Sequence, residues 1–429
     1  RIDRAGLIVK GRENLLLHSN QFDTTWTTAR LSGLTSGQSG YDGSSDAWSV
    51  IPNTANDDHK IYQSISQTGV VTFSVYAKAN GYNGLALVSS NTNNGKFFNL
   101  SNGTLGNDFN SSPIDSTITE VSNGWYRCEV VFNVSAGNFF TIYVSSDGIS
   151  THSFSGNGTN GIYIQSAQLE SGLAASPYIE TTTTTAQAGV LENTPRLNYT
   201  TGVANPYLLL EPSRSNLFPY SEYFGASNWI KNQLLSVIDN ADTTPEGVNN
   251  ASLIIPNTTN SIHSIADDLG ISSGTYTLSV FAKQGGYKNL LIWFNGHSGG
   301  VGVNLDDLSV FRDQNNDGYK IESFSNGWVR ISVTCTISTS SSLNIYVYNN
   351  SATPAIIFVG DGTSGVYLYG AQCEVGSYAT SYIPTYSVSA TRAKDVCNKA
   401  DASGEINSAE GVLYAEFSLL SQDGITDRT

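Results

Sequence analysis

Apolar and polar side chains alternate over short stretches of this chain, with the period of two that is typical of half-buried β-strands. In the stretch 71–77, Val71, Phe73, Val75 and Ala77 fall on one face of an extended chain. Other stretches with the same period are 126–134, 140–144, 162–164 and 167–169. No segment keeps a helical period over three capped turns. Short strands separated by turn residues, about every ten positions, predict two-sheet β-sandwiches.

The chain contains two copies of one unit, because seven sequence blocks recur in the same order at an offset of 202 to 205 residues. A unit of about 200 residues is much longer than a solenoid repeat, so the blocks indicate duplicated domains. The matched blocks are Asn14–Phe22 with Asn216–Phe224, Ile51–Thr54 with Ile255–Thr258, Phe73–Lys78 with Leu278–Lys283, Ser122–Arg127 with Ser325–Arg330, Gly156–Ile164 with Gly360–Leu368, Ala167–Glu170 with Ala371–Glu374, and Pro177–Ile179 with Ser381–Ile383.

The alternation and the repeat together predict an all-β chain of two tandem antiparallel jelly-roll-like β-sandwiches with extended linkers, each module ~165 residues long. The polar, β-branched run Thr181–Thr185 is typical of a linker. Because the chain starts at Arg1 and contains no Met, we expect a further part upstream. The predicted segments are a junction from that part at 1–13, module 1 at 14–180, a linker at 181–215, module 2 at 216–385, a linker at 386–409, and the first strand of a third domain at 410–429.

Composition narrows the classes of partner. Charged residues make up 13% of the chain, against about 25% in ordinary globular proteins. The net charge is −15 and no basic patch is present, which disfavours nucleic acid and anionic membranes as partners. No run of apolar residues is long enough to insert into a bilayer as a helix.

Four cysteines offer neither a disulfide framework nor a zinc site, since none forms a Cys-x-x-Cys pair. The repeat alignment sets Cys128, Cys335 and Cys373 opposite apolar residues, and the fourth is Cys397. We therefore expect buried thiols.

Aromatic residues that could stack on a sugar ring are the candidates for a ligand site. Sugar recognition uses an exposed aromatic face together with hydrogen-bonding side chains. Trp48 and Trp293 each occur in one copy only, and Tyr82 and Tyr287 fall in the loop after the Ala-Lys pair. These four are the predicted glycan-binding residues, although packing is the favoured role for each. Among the repeat-matched tryptophans, Trp26 and Trp229 are expected inside the sandwich, and Trp125 and Trp328 are expected to have a core or hairpin role.

One motif resembles the start of a calcium loop. Asp313, Asn315 and Asp317 place oxygen ligands at alternate positions, and Gly318 follows them. The position of the usual bidentate Glu is occupied by Phe324. The alternative is an Asp-Gly hairpin turn between two strands.

Catalytic chemistry finds little support in the sequence. The alignment pairs none of the five histidines with one another, and no nucleophile elbow, phosphate loop or His-Glu-x-x-His motif is present. Of the acidic pairs, Asp57–Asp58 and Asp267–Asp268 fall in loop-like sequence, and neighbouring carboxylates in a strand point apart. We predict a protein that is not an enzyme.

Several of the quoted motifs together resemble the carbohydrate-binding-like β-sandwich modules found in tandem in tailed-phage fibre and virion appendage proteins. In that family a concanavalin A-like (laminin G-like) domain often follows, and Val412–Leu420 resembles its opening strand. The segments that carry the resemblance are Asn216–Phe224, Ser325–Arg330, Gly360–Tyr367 and Thr380–Thr385, with the junction at Thr194–Tyr199 and Leu208–Pro212.

The resemblance implies an extracellular protein of the virion surface, a homotrimer that contacts other virion proteins and host-surface glycans. The leading hypothesis is therefore a fibre or appendage protein for glycan adhesion or display, with multivalency supplied by oligomerisation. One alternative is the non-catalytic binding arm of a secreted polysaccharide-degrading enzyme. Another is a structural spacer without a ligand.

Overall fold

A computed structural model describes residues 1–135, 137–191, 194–199, 205–338 and 341–396 of the chain. Within these ranges there is no α-helix, and nearly all regular structure is antiparallel β-sheet. The predicted all-β class with two sandwich modules is confirmed. The predicted third domain at 410–429 and Cys397 lie outside the described residues. The chain divides into two compact units, the module 1 unit with 9–194 and 239–250, and the module 2 unit with the remainder.

The strands of module 1 run from residue 12 to residue 188. In chain order they are β1 (Arg12–Asn14), β2 (Thr27–Ala29), β3 (Leu31–Gln38), β4 (Ala47–Pro52), β5 (Asn56–Asp58), β6 (Lys60–Ile65), β7 (Gly69–Asn80), β8 (Gly84–Ser89), β9 (Asn94–Asn99), β10 (Thr104–Asp108), β11 (Asp115–Ser122), β12 (Trp125–Val134), β13 (Asn138–Ser145), β14 (Ser153–Ser155), β15 (Gly161–Ser171) and β16 (Ala186–Ala188).

Two six-stranded sheets form the module 1 sandwich. Sheet A has the order β10-β9-β8-β13-β6-β2, and sheet B has the order β11-β12-β7-β15-β4-β3. The predicted strand at 71–77 lies in β7, and its alternating residues Val71, Phe73, Val75 and Ala77 all belong to the core between the sheets. The pattern of apolar residues therefore located the buried face of this strand correctly.

The strands of module 2 follow in the same relative order. They are β17 (Leu197–Asn198), β18 (Tyr207–Leu208), β19 (Arg214–Asn216), β20 (Ile230–Asn232), β21 (Leu234–Thr243), β22 (Asn249–Pro256), β23 (Asn260–Ile271), β24 (Gly274–Gly285), β25 (Asn289–Phe294), β26 (Gly299–Asn304), β27 (Val310–Gln314), β28 (Gly318–Ser323), β29 (Val329–Ile337), β30 (Ser341–Tyr348), β31 (Ile357–Val359), β32 (Gly365–Val375) and β33 (Ala390–Arg392), with a 3-10 turn at Ser325–Gly327 before β29.

Strand order confirms the duplication. Sheet A of module 2 runs β20-β23-β30-β25-β26-β27, with β31 added on β23, and sheet B runs β21-β22-β32-β24-β29-β28. Each strand occupies the place of its repeat-matched strand in module 1.

Three cysteines, Cys128, Cys335 and Cys373, are free and buried as expected. Burial, with a smaller contribution from Asp317, raises the pKa of the Cys335 thiol to about 12.

A buried polar clasp closes each sandwich, and its first member is an asparagine. Asn14 donates from Nδ2 to the carbonyl oxygens of Ala167 (3.3 Å) and Ile179 (2.8 Å), and its Oδ1 accepts the N–H of Leu169 (3.1 Å). The chain leading into the module is thereby tied to β15 and to the chain leaving it. In module 2 the matched residue Asn216 makes the same set of bonds, to Ala371 (3.0 Å), Ile383 (2.9 Å) and Cys373 (3.2 Å).

The second member of the clasp is a fully buried glutamate. In module 2, Glu374 accepts hydrogen bonds from the Thr380 N–H (2.8 Å), the Thr380 hydroxyl (2.7 Å) and the Gln372 side chain (2.7 Å). Glu170 does the same in module 1 with Ser176 and Gln168. A buried carboxylate with three donors is satisfied, whereas an unpaired one would be costly.

The third part of the clasp extends into the predicted linker. Thr181 is buried, donates its hydroxyl to the carbonyl of Leu16 (2.7 Å) and donates its backbone N–H to Ser19 Oγ (2.9 Å). Beyond it, β16 pairs with β1. The segment 181–215 is therefore not wholly a linker, because its first residues complete module 1.

Two histidines were missed as a matched pair. His59 and His263, 204 residues apart, are both fully buried and occupy equivalent places. His59 contacts the carbonyl oxygens of Arg30 (2.7 Å) and Phe154 (3.0 Å) through its two ring nitrogens. His263 does so with Gln233 (2.6 Å) and Phe358 (3.0 Å). The expectation that no histidines are repeat-matched is wrong, and their shared role is to hold backbone carbonyls of two separate segments.

Gln63 and Asp267 occupy equivalent positions, but only the Gln63 side chain has all of its hydrogen-bonding atoms partnered. Gln63 accepts the N–H of Leu17 (2.7 Å), but the matching residues are Asp267 and Pro219, and proline has no N–H to donate. Asp267 is buried in β23, and its Oδ2 has no hydrogen-bond partner. Burial, with the neighbouring Asp268, raises the pKa of Asp267 to about 6.

We expect Asn216→Leu to destabilise module 2 by about 2–4 kcal/mol, because it leaves buried carbonyl and amide groups without partners. Urea unfolding of the whole chain measures this loss. The control is Asn228→Leu, at an exposed residue of the same module. Equal stability of the two variants would contradict the clasp.

We expect Asp267→Asn to be more stable than the parent at pH 7 to 8 and equal to it near pH 4. A carboxyl whose pKa is raised on folding holds its proton better in the native state, so the parent loses stability as the pH rises from about 4 through 6. Urea unfolding between pH 4 and pH 8 measures the difference. Asp268→Asn, at an exposed neighbour, is expected to give a smaller effect, and a pH-independent difference would refute the assignment.

Candidate functional site

An aromatic patch covers the outer face of sheet A in module 2, the face turned away from the core. In β25, Leu290, Ile292 and Phe294 point into the core, so the alternating residue Trp293 points outward. The patch consists of Trp293, Phe311, Tyr346 and Tyr348, together with Arg312. Both faces of β25 are apolar, and all six of its residues are buried.

Two glycines make this arrangement possible. On the outer face, the middle of β26 presents Gly300 and Gly302, which pair with Trp293 and Arg312 respectively. A Cβ on Gly302 would lie 2.6 Å from the ring of Phe311, and one on Gly300 would lie 2.8 Å from the ring of Trp293. Because these two positions of β26 carry no side chain, residues of β27 reach across them to β25.

Arg312 of β27 uses this gap. Its guanidinium carbon lies 4.5 Å from the centre of the Trp293 ring, within the range of a cation–π contact. Its Nη2 donates to Gln314 Oε1 (2.9 Å), and its Nη1 donates to the Tyr348 hydroxyl (3.4 Å). Burial, with nearby Tyr348, raises the pKa of Tyr346, and Arg312 acts in the opposite direction. Tyr346, like Phe311 and Arg312, is only half-buried, so these three form the accessible part of the patch.

The same face of module 1 is built differently. Phe97 stands where module 2 has Gly302, and Phe109 stacks between Phe97 (5.5 Å) and Tyr143 (5.3 Å). Tyr143 matches Tyr346, and Lys60 lies 5.1 Å from its ring. Lys60 is, however, paired with Asp58 at 2.6 Å. The aromatic character of this face is common to both modules. In module 2, however, Arg312 has no carboxylate partner among the described residues.

The four predicted glycan-binding residues do not come together. Trp48 is 6% exposed, packs against Phe22 in the core, and donates from Nε1 to the Asn20 carbonyl (2.9 Å). Trp293 is 7% exposed and lies beneath Arg312. Of the four, Trp293 is the one that lies in the outer-face patch.

Tyr82 and Tyr287 are matched and hold turns. The Tyr82 hydroxyl accepts the N–H of Asn157 (3.1 Å), and the Tyr287 hydroxyl accepts the N–H of Asp361 (3.2 Å). Burial raises the pKa of Tyr287, although its bond to the Asp361 backbone acts against this. Their geometry favours packing, the role that the sequence also favoured.

The candidate calcium residues lie in the connection between β27 and β28. These strands belong to different sheets, so the alternative of a hairpin turn is wrong. Asp313 accepts a hydrogen bond from Asn316 (2.7 Å), and Asn315 donates its side-chain amide to the Ser298 carbonyl (3.1 Å). Asp317 donates its backbone N–H to Thr334. The described part of the chain holds no group of three or more His, Cys, Asp or Glu that could bind a metal ion.

Two of the acidic pairs singled out from the sequence lie in strands. Asp57–Asp58 lies in β5 and Asp267–Asp268 in β23, so the expectation of loops is wrong for both. Asp57 and Asp58 form ion pairs with Arg30, each at 2.7 Å. Asp57 and Asp58 thereby tie β5 to the residue between β2 and β3.

A groove of about 260 Å³ in the module 1 unit is a second candidate surface. It lies against β11 and β12 and contains carboxylates and hydroxyls but no aromatic ring. Its lining residues are Asp115, Ser116, Thr117, Thr119, Glu129, Val131, Leu173, Ala174, Ala175, Asn240, Val248 and Asn249. Without a stacking face it suits a sugar less well than the outer-face patch.

Comparison with known proteins gives distant structural similarities only. No protein-family model matches the chain, and no curated protein matches it. Among solved structures, the tandem CBM22-1-CBM22-2 domain of Paenibacillus barcinonensis Xyn10C is 13% identical with a TM-score of 0.25, over 88% of this chain and 100% of that one. A Paenibacillus xanthan lyase is 13% identical with a TM-score of 0.22, over 81% of this chain and 26% of the lyase. An anti-sigma factor domain-containing protein from Clostridium clariflavum is 8% identical with a TM-score of 0.16, over 89% of this chain and 99% of that one. With TM-scores this low, none of them bears on the site.

In the described ranges, no helix has the length and apolar character needed to cross a membrane.

We expect Gly302→Ala to destabilise module 2 by about 1–3 kcal/mol, because the new methyl group collides with the Phe311 ring. The matched test is a double-mutant cycle with Phe311→Ala, followed by urea unfolding. Gly302→Ala should cost clearly less once the ring is gone. An unchanged cost would show that Phe311 does not lie over Gly302.

Proposed function

We propose that this chain is a non-catalytic glycan-binding protein, and that the aromatic patch of module 2 is its binding surface. The observation that carries the proposal is the outer-face cluster of Trp293, Phe311, Tyr346 and Tyr348 with a cation over it. Aromatic faces that stack on sugar rings, next to hydrogen-bonding groups that read hydroxyls, are the usual chemistry of such sites.

The comparison between the two copies supports this choice of surface. Several residues that match across the repeat have structural roles, as the clasp asparagines and the turn-holding tyrosines do. The outer face of sheet A is where the copies differ, with Trp293 in place of Val88 and Gly302 in place of Phe97. Positions that the fold leaves free to change are those where a ligand site can be built.

The polar groups around the patch are suited to a sugar. The Tyr346 and Tyr348 hydroxyls and the Asn344 amide of β30 lie on the same face of the strand. Each of these groups can both donate and accept a hydrogen bond, which suits sugar hydroxyls because they also do both. A single shallow face of this kind gives weak binding, which oligomerisation would multiply.

For the biological setting, we propose a fibre or appendage protein of the virion surface, extracellular and homotrimeric, in contact with other virion proteins and host glycans. The support is the resemblance of its motifs to that family. The binding arm of a secreted polysaccharide-degrading enzyme remains the second candidate, because a glycan-binding sandwich serves both settings.

A glycan array with the whole chain tests the binding function. We expect at least one class of glycan to bind, and Tyr346→Ala to weaken binding at least about tenfold through loss of a stacking face, an effect of about 1.4 kcal/mol or more. Tyr319→Ala is the matched control, because Tyr319 is an exposed tyrosine on β28 of sheet B.

Circular dichroism confirms that both variants keep their fold. If the parent binds no glycan, or if Tyr346→Ala and Tyr319→Ala bind alike, the proposed surface is refuted.

A further inference from the structure

We infer that module 2 selects acidic glycans, with the guanidinium of Arg312 contacting a sugar carboxylate beside the aromatic patch. This inference rests on the proposed function, because it names the class of sugar that the same surface takes.

The first argument is the charge of Arg312. Acidic residues outnumber Lys and Arg by 36 to 21 in this chain. On the outer face of sheet A in module 1, Lys60, the cation beside Tyr143, pairs with Asp58 at 2.6 Å. Among the described residues, no carboxylate lies within ion-pair distance of Arg312. The residue that follows it in sequence, Asp313, has a carboxylate, but this carboxylate accepts a hydrogen bond from Asn316 and forms no ion pair with Arg312.

The second argument is the orientation of the guanidinium. Trp293 lies on one side of it at 4.5 Å, while Gln314 and Tyr348 hold two of its N–H groups. A guanidinium has five N–H donors, so three remain for a ligand. A planar fork that is already held in place loses little entropy on binding and fits a carboxylate with two parallel hydrogen bonds.

The third argument is the position of the charge next to the stacking rings. Arg312 is adjacent in sequence to Phe311, and both are half-buried on the same edge of the patch, where the ring of Phe311 lies 5.0 Å from that of Tyr348. A carboxylated sugar offers both parts of the match, an apolar ring face and an acidic group attached to the ring. A neutral sugar would leave the guanidinium without an anion.

Matched polymers test this inference. The probes are polygalacturonate, alginate and polysialic acid, each beside its own carboxyl-reduced, neutral form, with a sulfated polysaccharide as a separate anion. We expect at least one acidic polymer to bind about tenfold or more tightly than its reduced form, with affinity falling as salt increases.

Variants assign the effect to Arg312. Arg312→Gln should bind the acidic polymer no better than the parent binds the reduced one, and Arg312→Lys should keep part of the preference, since it retains the charge without the fork. Lys320→Gln, at an exposed cation on β28 of sheet B, should bind like the parent. Near-ultraviolet circular dichroism checks that each variant is folded.

The outcomes separate this inference from the proposed function. Equal binding of acidic and reduced polymers, binding of neutral glycans alone, a preference for the sulfated polymer alone, or a preference that survives in Arg312→Gln each overturns the inference and leaves glycan binding standing. If no polymer and no arrayed glycan binds, the proposed function fails, and the inference fails with it.

Discussion

The buried clasp between the two ends of each sandwich is the constraint on which the rest of the structure depends. Asn14 and Asn216 each join the chain that enters a module to two segments near its end, and both side chains are completely buried. A buried amide has to find partners for its donors and its acceptor, so it accepts only one arrangement of those segments. The position of the last strand relative to the first is thereby fixed.

This constraint explains which sequence blocks recur. The Asn-Leu block, the Ala-Gln-x-Glu block and the x-Tyr-Ile block supply the clasp, and the Gly-x-Gly-Thr block supplies the turn that holds Tyr82 or Tyr287. Repetition in this chain therefore records folding requirements. The surfaces that differ between copies, above all the outer face of sheet A, are where function is to be sought.

Sequence pattern was sufficient for the fold because strand alternation and duplication are local signals. It placed Val71, Phe73, Val75 and Ala77 on the core face of β7 and identified three buried cysteines. The sequence carries a further signal at Leu290 to Phe294, which is apolar on both faces and therefore indicates a strand covered on both sides.

The site was harder to predict because it depends on contacts across strands. Arg312 reaches Trp293 only because the intervening strand carries Gly300 and Gly302 on that face, and periodicity alone does not reveal such a gap. Asp267 is unsatisfied because Pro219 replaces a donor in another segment. The same holds for the Asp313 motif, whose sequence indicates a hairpin turn or a calcium loop, although the segment crosses from one sheet to the other.

The most direct test of the account is an NMR titration that follows the indole N–H signals of the six tryptophans while a bound glycan is added. Trp293 is identified by the signal missing from Trp293→Phe. The account predicts that this signal shifts on saturation, while the signals of the core residues Trp26, Trp48 and Trp229 stay in place. A glycan that binds without moving the Trp293 signal would contradict the assignment of the site to module 2.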